Sequence, residues 1–169
     1  MKATLLIDSH EVDVDYSLLE SIVNQLPTDD DQLLPVFATL AQSSSAAVRR
    51  AVASRPRLTP ETVALLASDP SPEVLEALVY EHAKDIPEAT LVNIIRRNWT
   101  NVNMAIACRI HDCDDVDVTA LAKLLGASDD PAVRFTLAGN GSVPRAIRKR
   151  FLSDPDPYVR RCARESIRD

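Results

Sequence analysis

Asp154-Pro155-Asp156-Pro157-Tyr158-Val159-Arg160-Arg161-Cys162-Ala163 is the stretch on which the fold turns. An acidic residue and prolines open it, and a valine then begins an amphipathic turn. A side-chain oxygen ahead of a proline-led segment marks a helix start. It accepts from backbone N–H groups that the first turn leaves without partners, and proline there has no N–H to lose. The phrase has four echoes: Ser45-Ala46-Ala47-Val48-Arg49-Arg50-Ala51, Asp69-Pro70-Ser71-Pro72-Glu73-Val74-Leu75-Glu76-Ala77, Asn98-Trp99-Thr100-Asn101-Val102-Asn103-Met104-Ala105 and Asp129-Asp130-Pro131-Ala132-Val133-Arg134. Successive valines lie 26, 28, 31 and 26 residues apart, a period that points to stacked helical repeats rather than a closed globule.

Between these phrases runs a second one, in Leu58-Thr59-Pro60-Glu61, Ile86-Pro87-Glu88, Val116-Asp117-Val118 and Val143-Pro144-Arg145. Each repeat therefore reads as two helices. The first is expected to be short, about two turns and partly 3₁₀, because Val74, Ala77 and Leu78 leave little length before the next loop. The second carries apolar residues at three- and four-residue spacing, such as Leu121, Leu124 and Leu125 or Ile147, Phe151 and Leu152, on one buried stripe. Asp69, Asn98, Asp129 and Asp154 read as helix caps rather than as chemistry. Asn140-Gly141 suits a left-handed turn, and His82 closes a core-facing helix.

Repeat units fall at about 43–66, 67–95, 96–125, 126–152 and 153–169. The third is the longest and lacks the proline and arginine of the phrase. Residues 1–42 do not carry the repeat. There Val12 and Val14 alternate with acids, Tyr16 to Leu26 reads as a helix ended by Pro27, and Asp29 to Ala41 as a second helix with Pro35 in its first turn. This segment is expected to be an acidic helical cap, which stacked repeats need because an end unit has no neighbour to cover it.

Composition agrees. Hydrophobic residues make up 46% of the 169 residues but aromatics only 4%, so the core must be built from small aliphatic side chains between close helices. The net charge of −6 hides a gradient. Residues 1–45 hold one lysine against eight acids, whereas residues 131–169 hold nine Lys/Arg against four acids. Such asymmetry bears on partners rather than on fold. No run approaches the roughly 20 apolar residues that cross a bilayer. The first residues turn acidic too soon for a signal peptide, and three cysteines suggest no disulfide framework, so a cytoplasmic location is expected.

The Asp-Pro-x-Pro-x-Val-Arg-Arg-x-Ala phrase at 154–163, the proline-led second helix and the mid-twenties period resemble the leucine-rich repeat variant family and, more broadly, HEAT-like repeats. The resemblance covers about residues 43–169. It implies an all-α fold, a right-handed α-solenoid of about five units, and a scaffold class rather than one activity. One type of family member carries an iron–sulfur cluster on cysteines ahead of the repeats. This chain has no cysteine before Cys108, so no cofactor is expected.

Cys108, His111 and Cys113 are the clustered soft ligands, with Asp112, Asp114 and Asp115 beside them. Thiolate and imidazole suit zinc, but a structural site needs four ligands and no second Cys/His pair is near. The simpler expectation has Cys108 in the core and a solvated loop after it. A basic cluster, Arg145, Arg148 and Lys149 followed by Arg160, Arg161 and Arg164, places cations at helical spacing on two successive helices. It could face an acidic or extended protein surface, the phosphates of a nucleic acid, or the acidic N-terminal segment of a second copy. Nucleic acid is the weaker match for a chain that is acidic overall. Trp99 is either an interface anchor or a filler between unequal repeats. Some HEAT-like proteins are DNA glycosylases or bilin lyases. Here His10, His82 and His111 are scattered, and no nucleophile–base pair or glycine-rich phosphate loop can be placed. The expected function is non-enzymatic protein binding.

Overall fold

The structure, a computed structural model, describes residues 2–113 and 116–168. Helices dominate it, and the chain forms two compact units, Met1–Glu81 and His82–Asp169.

The first unit opens with a feature that the all-helical expectation lacks. Strands β1 (Lys2–Ile7) and β2 (His10–Asp15) pair antiparallel, with Ala3 opposite Val14 and Leu5 opposite Val12. The two-residue turn puts Asp8 and Ser9 at φ of 48° and 68°, the left-handed backbone whose twist matches a hairpin. The alternation of Glu11, Asp13 and Asp15 with Val12 and Val14 has the two-residue period of a strand. Val14 is buried and Val12 exposed.

Asp15 then caps α1 (Tyr16–Gln25), its Oδ1 accepting from the Leu18 N–H at 2.7 Å. Leu19 and Val23 form the buried stripe of α1, which packs on α3 (Ala46–Ala53). Where one helix over Asp29 to Ala41 was expected, a 3₁₀ turn at Asp31–Leu33 leads into α2 (Leu34–Leu40). Asp30 caps that turn through Gln32, and Pro35 sits in the first turn of α2, where no N–H is needed. Helices α4 (Pro60–Leu66) and α5 (Pro72–His82) complete the unit. The buried guanidinium of Arg55 donates to the carbonyls of Val23, Leu26 and Pro27 at 3.3, 2.6 and 2.8 Å, closing the otherwise open end of α1.

The second unit begins with a 3₁₀ turn at Ala83–Asp85 and continues through α6 (Glu88–Arg96), α7 (Thr100–Arg109), α8 (Val118–Gly126), α9 (Pro131–Gly139) and α10 (Arg145–Arg148). A 3₁₀ turn at Lys149–Ser153 and α11 (Pro157–Arg168) follow. Helices α7, α9 and α11 pack in succession, and α6, α8 and α10 do the same. The core between the two rows includes Leu91, Ile95, Val102, Leu121, Leu125, Val133, Leu137, Ile147 and Val159. Leu152 departs from the expected stripe. The segment after Arg148 tightens to 3₁₀ geometry, which turns Leu152 to 37% exposure while Phe151 stays buried.

The first helices are the longer ones, contrary to expectation. Helices α5, α7 and α11 run 11, 10 and 12 residues, against 7, 9 and 9 for α4, α6 and α8. In α5 the apolar stripe does not stop at Leu78 but continues through Val79 to the buried ring of His82. The expected left-handed turn at Asn140-Gly141 is absent, since Asn140 has φ of −81°. Its amide instead donates to the carbonyls of Ala107 at 2.8 Å and Cys108 at 3.3 Å, capping the last turn of α7.

One ion pair recurs with the same geometry in both units. Arg49 Nε and Nη2 donate to Asp69 Oδ2 and Oδ1 at 2.6 and 3.0 Å. Arg134 Nε and Nη2 donate to Asp154 Oδ2 and Oδ1 at 2.8 and 3.0 Å. Each arginine follows a phrase valine, and each aspartate stands twenty residues later in an Asp-Pro-x-Pro loop. Both aspartates also accept from the N–H two residues on, Ser71 at 2.8 Å and Asp156 at 2.9 Å. They therefore shape the loops rather than cap the helices. Asp156 is the residue bonded to the first N–H groups of α11, Tyr158 at 2.8 Å and Val159 at 3.1 Å. Likewise Asp130, not Asp129, caps α9 through Ala132. Asn98, at φ of 56°, ends α6 rather than opening α7.

Leu121→Ala should lower the unfolding free energy by about 2–5 kcal/mol, the range for emptying a packed site. Leu152→Ala should stay within about 0.5 kcal/mol in the same urea titrations. The Arg134 guanidinium holds the Asp154 carboxyl below its ordinary range, and Asp154 in return raises Arg134. A depressed carboxyl contributes stability above its unfolded pKa of about 3.9 and loses it as pH falls through the folded value. Asp154→Ala should therefore cost on the order of 3 kcal/mol at neutral pH, because it strands a largely buried guanidinium. It should also flatten the loss of stability of the native chain below about pH 4.

Candidate interaction surface

In the second unit the phrase valines point inward, so a residue two positions on, about 200° further round the helix, points out. In α7, α9 and α11 those residues are Met104, Phe135 and Arg161. Phe135 is 46% exposed, and Tyr158, just before Val159, is 67% exposed. Met104, Phe135 and Tyr158 converge on an open groove of about 270 Å³, whose other walls are Pro131, Ala132, Thr136 and Asp156. Single exposed apolar side chains are ordinary, but three gathered around one concavity form a patch that gains by being covered.

The groove rests on fixed backbone. Pro131 and Ala132 belong to the first turn of α9, tied by Asp130, and Asp156 and Tyr158 to the start of α11. The Thr100 hydroxyl, 2.6 Å from Asp130 Oδ2, joins α7 to the start of α9 and holds the Asp130 carboxyl below its ordinary range.

In the first unit the same helix face is charged. A groove of about 310 Å³ is lined by Glu20, Asn24, Arg50, Ser54, Glu73, Glu76 and Tyr80, with Arg50 Nη2 2.9 Å from Glu20 Oε1. The Ser71 hydroxyl donates to Glu73 at 2.6 Å and keeps its carboxyl low. This recess therefore presents more negative than positive charge.

The basic cluster divides into two kinds of arginine. Arg145 Nη2 donates to the Ile167 carbonyl at 2.9 Å, while Arg148 donates to the carbonyl of Ser166 and, at 3.0 Å, to that of Val143. Both close the C-terminal end of α11, where a cation also meets the negative end of the helix dipole. Arg160 donates to carbonyls in the loop ahead of its own helix. Arg161 is exposed, 3.6 Å from Glu165, a pairing worth little in water, and Lys149 and Arg164 are exposed.

Cys108, His111 and Cys113 do not meet as the sequence suggested. Cys108, near the end of α7, faces solvent, whereas Cys113 is buried with its Sγ 3.7 Å from the Arg109 carbonyl, the reverse of the expected placement. Cys108 falls two helical turns after exposed Asn101, on the outward face of α7, and the turn after Ile110 folds Cys113 under. His111 lies 3.2 Å from Asp112, and Asp114 and Asp115 lie outside the described residues. No three His, Cys, Asp or Glu side chains group for a metal ion among the described residues.

Trp99 is half-buried just ahead of α7, with the Arg97 guanidinium 5.3 Å above its ring. His82 is buried and pairs with Asp85 at 3.2 Å. Sequence reasoning missed the groove. Its signal was present as the positions one before and two after each phrase valine, which are aromatic or long and apolar at Met104, Phe135 and Tyr158 but charged at Arg50, Glu73 and Glu76.

Among the described residues no helix is long and apolar enough to cross a membrane. Comparison with protein-family models, with curated proteins and with solved structures finds no match to this chain.

Thiol reactivity checks the cysteine placement. Cys108 should alkylate fastest in the native protein. Cys162 should react more slowly, since burial pushes its thiol up, and Cys113 only once the chain unfolds. Mass spectrometry of timed maleimide quenches reads the order.

Proposed function

We propose that this chain is a non-catalytic helical-repeat scaffold that binds a protein partner, with an acidic or extended surface, through the outward face of its first helices. The observation that carries the reading is the groove of Met104, Phe135 and Tyr158. It offers an apolar seat on backbone fixed by caps and ion pairs, so an extended segment can dock with little ordering of the receptor. The right-handed α-solenoid of about five units belongs to the same proposal, as does the kinship to leucine-rich repeat variant and HEAT-like proteins. Its support is the Arg–Asp pair at the same twenty-residue spacing in both units. A cytoplasmic setting suits cysteines that are not joined in disulfides.

Nucleic acid is the weaker alternative. Arg145, Arg148 and Arg160 give hydrogen bonds to protein carbonyls, leaving Lys149, Arg161 and Arg164 of the cluster for phosphates. Association of the basic end with the acidic N-terminal segment of another copy would show as a salt-sensitive sedimentation coefficient. A glycosylase- or lyase-like activity is the weakest alternative, because His10, His82 and His111 are scattered along the sequence.

The test is affinity capture with the native chain and with Phe135→Glu/Tyr158→Glu. Both substituted residues are well exposed, so melting should be unchanged. Protein partners should fall by about tenfold or more with the variant, because a charge would be buried in an apolar seat. Capture that ignores the variant removes the groove reading, and capture abolished by nuclease moves nucleic acid ahead of it.

A further inference from the structure

Three arginines stand directly after a phrase valine: Arg49, Arg134 and Arg160. In the first two the guanidinium has two tasks. Nη1 is tied back to the loop ahead of its own helix, donating from Arg49 to the Ser43 carbonyl at 2.8 Å and from Arg134 to those of Ser128 and Asp129 at 2.8 and 3.0 Å. The opposite edge, Nε and Nη2, grips both oxygens of the aspartate twenty residues later.

Arg160 repeats the first task. Its Nη1 donates to the carbonyls of Asp154 at 2.7 Å and Pro155 at 2.9 Å, six and five residues back, as Arg134 does. The second task has no counterpart among the described residues. Among the described residues no acceptor is hydrogen-bonded to Arg160 Nε or Nη2.

We propose that this edge of Arg160 is a binding site for a carboxylate side chain of a protein partner, of the kind that Asp69 and Asp154 supply within the chain: an aspartate set in an Asp-Pro-x-Pro turn. The guanidinium edge matches a carboxylate through two parallel hydrogen bonds. Its rotamer is already restrained by the two carbonyls on Nη1, so the entropy of ordering a long side chain is largely met before the partner arrives. The surroundings favour an anion, because Arg161 and Arg164 lie exposed on the same helix and residues 131–169 carry nine basic against four acidic residues. In the internal loops the aspartate is braced by the N–H two residues on, at 2.8 and 2.9 Å, so a partner turn of this sequence would present its carboxylate already oriented. This deepens the reading of the chain as a protein-binding scaffold. It uses a guanidinium edge rather than the apolar groove, so either contact can fail without the other.

The experiment observes arginine Nε–H signals of the full chain with isotope-labelled arginine, the Arg160 signal being assigned by Arg160→Lys. In the free protein the Arg49 and Arg134 signals should lie downfield, in the range of charge-paired groups, and that of Arg160 should not. A synthetic peptide with the sequence of residues 153–158 should move the Arg160 signal toward theirs in a saturable titration. The same peptide carrying Asp154→Asn should bind about tenfold more weakly, the loss expected for one charge-assisted hydrogen bond. Arg160→Lys, which keeps the charge and loses the fork, should weaken the peptide's effect on the backbone amides of α11 by a similar factor. The proposal is overturned if the Arg160 signal already matches the other two in the free protein, if it does not move, or if both peptides move it equally.

Discussion

A guanidinium that is nearly buried must find acceptors for its donors, and the way Arg49 and Arg134 do so organises the loops ahead of α5 and α11. One edge binds the loop before its helix and the other binds the aspartate of the next Asp-Pro-x-Pro loop. A single side chain thus joins three backbone segments at hydrogen-bond distance. An isolated ion pair would be a weak source of stability, because desolvation offsets attraction. Here its value is positional. The aspartate is also the acceptor that turns its own loop, so the pair sets where the following helix begins.

That constraint explains why the aliphatic core can be so plain. Val48, Val133 and Val159 are fully buried, small residues such as Ala51, Ala138 and Ala163 are buried with them, and large aromatics are sparse in the core, with Phe37 and Phe151 among the buried ones. Small side chains let helices approach closely but specify their offset poorly. The polar clips supply the offset, and other polar groups finish helix ends that would otherwise be open: Arg55 on α1, Asn140 on α7, and Arg145 and Arg148 on α11. Much of the basic cluster is accounted for in this way. Lys149, Arg161 and Arg164 stay exposed, as do the groove of Met104, Phe135 and Tyr158 and one edge of Arg160.

Helix starts were legible because their signals are local. A cap oxygen, a proline and an apolar stripe lie within one or two turns of sequence, and α4, α5, α9 and α11 begin at the expected prolines. Register within a cap was less legible. In Asp129-Asp130-Pro131 either aspartate fits the pattern, and the bond of Asp130 to Thr100, thirty residues away, accompanies the choice. The hairpin at the start was visible as alternation in Glu11 to Asp15, but its partner Ala3-Thr4-Leu5-Leu6 does not alternate, so pairing had to supply what pattern did not. The candidate site was the least legible part. Whether an arginine is an interaction surface or a helix cap depends on which carbonyls come within reach, and Arg145 meets its acceptor 22 residues away.

The sequence by itself determined that the chain is built from paired helices with an aliphatic stripe and caps, because those properties arise from contacts between residues a few positions apart. Tertiary structure alone decided which polar side chains hydrogen-bond within the protein and which keep an open edge among the described residues. Arg134 and Arg160 sit in the same local phrase, Val-Arg, and each donates to the carbonyls six and five residues before it. What separates them is a carboxylate twenty residues away, present for Arg134 in the loop that precedes α11 and lacking for Arg160 among the described residues. Local sequence cannot encode that difference, because a hydrogen bond is decided by distance in space.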